Sequence, residues 1–338
     1  MRPVLRLLLV VAACGLPGSA GSPLTAQELL VPSVDVGEAE AIAAAVQGEY
    51  SGRVRDWRGV TGRFGLRLIA RGPDRFEGRL FRGGLPFDGW DRRPTIAVSG
   101  TLIGRRVDLH DEAGEKLGEI DATRAPFAWL TDEQGIRRGG LMRIERTSPT
   151  LGKAAPDGAQ VLFRDGRIDG LQNARLTPSG NLAIGCMTSE PVGDFELHLE
   201  FRLPFEPSEE GQGRGNSGVY IQRRYEVQIL DSFDLPPGID RCAALYRQLP
   251  PAVNASLPPL QWQTYDIRFR AARWNAAGEK SEPARITVIH NGIVVHDDIA
   301  IASKTGAGQP EGPEPLPILL QDHRNPVEFR NVWIVRLD

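Results

Sequence analysis

The chain has 338 residues, 41% of them hydrophobic and 25% charged, with 38 glycines and 26 prolines. A formal net charge of −3 supplies no basic field, which argues against nucleic acid as a partner. The length suits about two domains, and the glycine and proline content leans towards β structure with many turns.

The first residues have the pattern of an export signal. Arg2 and Arg6 make a basic start, "LLLVVAA" (7–13) a short apolar core, and small residues follow. That core is far shorter than the roughly 20 residues a permanent spanning helix needs. No later segment is apolar for long enough to be a transmembrane helix. Cleavage after Ala20 or Ala26 is expected, with residues 1–26 as signal and a periplasmic or secreted product. "VAAC" (11–14) offers the alternative of a lipid anchor on Cys14. Cys186 and Cys242 remain, and the sequence leaves their pairing open. Neither has the spacing of a zinc site.

Next, "VGEAEAIAAAVQGEY" (36–50) spaces alanine and isoleucine as one helix. "RFGLRLIARGPDRFEGRLF" (63–81) alternates across a Gly-Pro-Asp turn and reads as a hairpin. Short strands continue from there, so residues 45–147 are expected to form a small antiparallel β domain without a catalytic signature. The polar, proline-bearing stretch that follows supplies a linker over 148–159. From 160 to 337 strands recur. "DFELHLEFRLP" (194–204) puts Phe195, Leu197, Leu199 and Phe201 on one face and Glu196, His198, Glu200 and Arg202 on the other. The Asn-Gly pair at 291–292 marks another hairpin. The fold class is therefore all-β, with a two-sheet sandwich or jelly roll in the second half. "SKTGAGQPEGPEPLP" (303–317) is too rich in glycine and proline for a strand and reads as a surface loop, flanking a cleft.

The segment "NSGVYIQRRYEVQILDSFD" (216–234) concentrates polar side chains on two short strands. Val219 and Ile221 share one face with Val227 and Ile229 across the turn. Tyr220, Gln222, Glu226 and Gln228 are expected to share the other. Alternation turns Asp231 towards the core unless a bulge follows Gln228. Glu-x-Gln-x-x-Asp resembles the Glu-x-Asp-x-x-Glu strand of laminarinase-type glycoside hydrolases, whose paired carboxylates act as nucleophile and acid/base. Here Gln228 cannot ionise and Asp231 is one methylene shorter.

A longer resemblance covers residues 160 to 337. "DFELHLEF", "GQGRGNSGVYIQRRYEVQILDSFD", "CAALYRQLPPAVNASLPPLQWQTYDIRF" and "LLQDHRNPVEFRNVWI" resemble, in order, the 3-keto-disaccharide hydrolase family. The resemblance implies a concanavalin A-like jelly roll acting on glycosides already oxidised at the sugar's 3-position. It also implies an elimination that a second carboxylate is not needed to support. On that basis Glu226 is expected to move the proton, with His323 as second acid or base and Asp231 as either a catalytic or a turn-stabilising carboxylate. Asn216, Tyr220, Gln222, Gln228 and Gln321 are expected to hold sugar hydroxyls. Arg330 is a donor to an oxyanion or a salt-bridge partner, and His198 and Glu200 are outer candidates. No cofactor is implied; such folds can hold a structural calcium, but no ligand spacing here indicates one. Two alternatives stay open: a lectin-like binding module using Trp262, Trp274 or Trp333, and a conventional glycosidase pairing Glu226 with Asp231.

Overall fold

The computed structural model describes residues 36–55, 61–123, 126–132 and 134–337. The signal expected at 1–26, with its lipid-anchor alternative at Cys14, lies outside the described residues. The alanine-rich stretch forms the helix Val36–Val46 and then enters a strand at Gly48. Eight antiparallel strands follow in chain order. They are Gly48–Arg55, Thr61–Ala70, Arg75–Arg82, Ile96–Ile103, Arg106–His110, Lys116–Asp121, Phe127–Thr131 and Arg137–Ile144. The last pairs with the first, Glu49 opposite Ile144, so the domain is a closed barrel with no free edge. Inward positions such as Leu66, Leu68, Leu80, Val107 and Leu141 fill it, and Ile42, Ala43 and Val46 of the helix pack into the same cluster.

The second half is a sandwich of two antiparallel sheets. In the larger, Gln160–Arg164, Glu328–Arg336, Phe195–Arg202, Trp262–Arg270, Arg285–His290 and Ile293–Ala300 lie side by side. In the smaller, the short strands Leu171–Gln172, Met187–Thr188 and Leu319–Leu320 lead to Ser217–Ile221 and Tyr225–Ile229. The core between them takes alternate residues of each, among them Phe195, Leu197, Leu199 and Phe201 from one sheet and Val219, Ile221, Val227 and Ile229 from the other. Burial of this apolar surface is the main drive for the pairing of the sheets. Cys186 and Cys242 are both buried as free thiols. Cys242 contacts the Tyr265 hydroxyl at 3.1 Å. Burial pushes the Cys186 thiol up to about 12, so it stays protonated.

The barrel and the sandwich are joined by buried charge. Arg67 and Arg79 of the barrel reach Asp234 of the sandwich at 3.4 and 2.9 Å. In the other direction Arg214 donates to the Ala70 carbonyl at 3.0 Å and to Gln47 Oε1 at 3.3 Å. No described helix is long and apolar enough to cross a membrane.

Candidate functional site

Register places the candidate residues. Tyr220 lies opposite Glu226 and Gly218 opposite Gln228. On the other side Tyr220 pairs with Leu319 and Val219 with Leu320. With side chains alternating between faces, Tyr220, Glu226, Gln228 and Gln321 therefore share the face turned away from the core. Gly218 sits between the two glutamines. A methyl group there would meet Glu226 Oε1 at 2.5 Å, so the glycine leaves the space the carboxyl occupies.

The Glu226 carboxyl is buried, and its Oε2 has no hydrogen-bond partner among the described residues. Burial pushes it up to about 7, an effect that the Tyr220 hydroxyl opposes only in part. Tyr220 moves in the same direction, raised by burial and then by the neighbouring carboxylate, so it remains a donor at neutral pH. With its amide nitrogen turned to the strand, Gln228 donates to the Ser217 carbonyl at 3.0 Å and to Glu226 Oε1 at 2.9 Å. Gln321 Oε1 is also buried and has no partner among the described residues. Two unmet acceptors thus stand on one face, on either side of the strand Ser217–Ile221.

Loops complete the enclosure. Thr305 Oγ1 accepts the Glu226 backbone N–H at 2.7 Å, and Tyr246 N–H donates to the Glu226 carbonyl at 3.2 Å. At Gly306, with φ +39°, a methyl group would lie 2.9 Å from the Tyr246 ring and 3.4 Å from Glu226 Oε2. The glycine-rich segment at 303–317 is thus a cover over the carboxyl as well as a surface loop. Tyr246, Thr305 and Gly306 were not singled out from sequence. They arrive from distant loops, signalled only by the "CAALYRQLPP" stretch and by the cleft-flanking loop at 303–317.

Other candidates lie elsewhere. Gln222 is in the turn after Ile221, at φ +50°, and its amide donates to the Val192 carbonyl at 2.7 Å. It holds the turn and does not share the face of Glu226, because the strand ends one residue before it. Asn216 does approach the site: its Nδ2 donates to Gln212 O at 2.7 Å, and its Oδ1 lies 3.5 Å from the Gln228 side-chain amide. Asp231 lies beyond the strand end, its Oδ2 held by Arg214 Nε at 2.6 Å. His323 is exposed on the loop after Leu319–Leu320 and makes no hydrogen bond or ion pair among the described residues.

His198, Glu200 and Arg330 are on the larger sheet, on the face opposite the core. His198 and Glu200 are buried there beneath residues 148–153, while the Arg330 side chain stays partly exposed. Glu200 accepts from the Gly152 N–H at 2.6 Å, Arg330 Nε at 2.7 Å and Asn331 Nδ2 at 2.9 Å. His198 Nδ1 lies 2.9 Å from Asp266, and its ring stacks on Trp333. Arg330 also lies 4.0 Å over Trp262. These groups bind the expected linker to the sheet, on the far side of the sandwich from Glu226, and Trp262 and Trp333 are engaged in the same packing. Burial alone would raise the Glu200 carboxyl, but His198, Asn331, Arg330 and Gly152 outweigh it and hold it down to about 2. Its contribution is therefore present above its ordinary value of 4.5 and lost as pH falls towards 2. Glu200→Gln is expected to cost about 3 kcal/mol at neutral pH. In urea unfolding, that deficit should narrow from pH 4.5 downwards; a deficit that does not change with pH would refute the assignment.

Among the described residues, no group of three or more His, Cys, Asp or Glu side chains is gathered as a metal site. The site is that of a sandwich with a buried carboxyl, pushed towards neutrality, among amides and phenols. The profile of the 3-keto-alpha-glucoside-1,2-lyase-like domain matches residues 146–335, and the chain belongs to that family. A crystal structure of a candidate glycosyl hydrolase from Parabacteroides distasonis is 32% identical, with 54% of this chain and 85% of that one covered at a TM-score of 0.50. A second candidate glycosyl hydrolase from the same organism is 15% identical over 55% of this chain and 99% of that one, at a TM-score of 0.41. Comparison with curated proteins found no match. The family places the chain among carbohydrate-active proteins.

Proposed function

We propose that the sandwich cleaves 3-keto-glycosides by elimination followed by hydration, with Glu226 as the proton-transfer group. The observation that carries this is the buried Glu226 carboxyl, pushed up to about 7, with one oxygen unpartnered on the strand the family supplies. A ketone at C3 acidifies the C2 hydrogen. Glu226 as carboxylate takes that proton, and the electron pair forms the enolate. The enolate then re-forms the ketone, a C1–C2 double bond appears, and the C1–O bond breaks with its electrons leaving on oxygen. The departing oxygen takes a proton from Glu226 or from the Tyr220 hydroxyl. Water then adds at C1 and a proton returns to C2, so the net change is hydrolysis.

A carboxyl near 7 suits this chemistry, because it is a stronger base than an ordinary glutamate yet half ionised at neutrality. Gln321 stands where its amide N–H groups can meet the enolate oxygen or a sugar hydroxyl, while Gln228 spends its own on the Ser217 carbonyl and the Glu226 carboxyl. A conventional glycosidase would need a second carboxylate about 5–5.5 Å away for retention or about 6.5–9.5 Å for inversion. Asp231, the nearest in sequence, is occupied by Arg214. The decisive experiment is turnover of a 3-keto-disaccharide in D₂O. Deuterium should enter at C2 of the released 3-keto sugar faster than in a buffer blank. Sugar release without C2 exchange above the blank would exclude elimination.

A further inference from the structure

Where barrel meets sandwich, the described residues line an open cavity of about 280 Å³. Arg71 and Glu77 of the barrel line one side, and Gln212, Asp240 and Arg241 of the sandwich the other. Gln212 belongs to the cavity and to the candidate site at once. Its Oε1 accepts from Asn216 Nδ2 at 3.2 Å and lies 3.0 Å from the Gln228 amide, while its own Nε2 donates to the Asp240 carbonyl at 2.8 Å. Gln228 and Glu226 are two residues apart on one strand face, about 7 Å by strand geometry. Gln212 therefore links the cavity lining to the amide that holds the Glu226 carboxyl.

Its chemistry is specific. Arg241 Nη1 is buried without a hydrogen-bond partner among the described residues, a donor that a ligand oxygen would satisfy. Glu77 keeps a largely exposed carboxylate while Arg71 holds one of its oxygens at 2.9 Å. Leu230 and Leu235 are the apolar residues of the lining, and no aromatic ring is part of it. Guanidinium and carboxylate groups facing each other across a polar hollow match the donors and acceptors of adjacent hydroxyls. A flat aromatic group would find no stacking partner there.

We propose that barrel and sandwich together form the subsite for the leaving group, and that it takes a second sugar. This rests on the reading of Glu226 as the base next door. It also gives the barrel a task, since Arg71 and Glu77 are contributed by it alone.

The test compares a 3-keto-disaccharide with the methyl 3-keto-glucoside in the full chain. Arg241→Ala should lower the ratio of the two kcat/KM values about tenfold, the loss of a charged hydrogen bond. The barrel variant Glu77→Gln, at a largely exposed side chain, should lower it in the same direction without unfolding the protein. A ratio unchanged within twofold in both variants would overturn the subsite. Calorimetry with the unoxidised disaccharide separates the two readings. Binding that Arg241→Ala weakens supports the subsite even if no glycoside is turned over, in which case the proposed reaction alone fails. Wild-type protein that neither binds the disaccharide nor discriminates the two substrates refutes the subsite.

Discussion

Glu226→Gln is expected to lower turnover of a 3-keto-disaccharide by about 10³-fold, within the range that a positioned proton-transfer group contributes. The wild-type kcat/KM should rise with pH and level off above about 7, the value to which burial pushes the carboxyl. The variant should lose that limb. A second consequence separates a base from a merely structural glutamate. A carboxyl raised from 4.5 to about 7 keeps its proton in the folded chain while the unfolded chain releases it. Stability therefore falls as pH rises through that window, and above it the ionised group costs about 3 kcal/mol. Glu226→Gln, uncharged and of the same shape, should be more stable than wild type at pH 8 by about 2–3 kcal/mol, and equal to it at pH 4. Urea unfolding at the two pH values measures this. Equal stability at both, or full activity in the variant, would remove Glu226 from the proposed role.

That combination, inactive yet more stable, is expected where a group is held in an unfavourable state for chemistry. Three neighbours hold it so. Gly218 leaves the room, Gly306 closes above it, and Thr305 fixes the backbone at Glu226. None of them satisfies Oε2.

Much of this was written in the strand alternation. Two-residue periodicity put Tyr220, Glu226 and Gln228 on one face, and the register confirms the pairing. It failed at Gln222, where the chain leaves the extended conformation and parity loses meaning. It also misjudged His198 and Glu200. Their face was correctly opposite the core, but periodicity reports direction and not cover, and residues 148–153 lie over them. The polar composition of that stretch suggested a linker; its groups are instead spent on the sheet. The helix and the 63–81 and 291–292 hairpins were legible because their signals are local. Tyr246, Thr305, Gln212 and Arg214 were not, because each acquires its meaning from a partner brought to it by the fold, up to 167 positions away in the case of Arg214 and Gln47.

Arg214→Met is expected to destabilise the protein by about 3–5 kcal/mol, because it leaves a buried carboxylate without its cation. Both side chains of the Arg214–Asp231 pair are almost fully enclosed, and the guanidinium also serves the Ala70 and Pro207 carbonyls and Gln47 Oε1. Two of these acceptors belong to the chain around the barrel, so one side chain ties barrel, turn and strand end together. Asp231→Asn in the same chain should restore part of the loss by removing the stranded charge. The carbonyls left without a donor should keep the recovery incomplete. The double-mutant cycle thus divides the ion pair from the interdomain hydrogen bonds. The effect should extend to catalysis, since Arg214 follows Gln212 by two residues and precedes Asn216 by two. Loosening it should displace the amides that flank Gln228 and raise KM for the disaccharide more than it lowers kcat. Equilibrium unfolding of the single and double variants, with kinetics on those that remain folded, tests this directly. A loss below 1 kcal/mol in Arg214→Met would mean that the barrel and the site are not coupled through this residue, since even one stranded carbonyl at such a position is expected to cost about 1 kcal/mol.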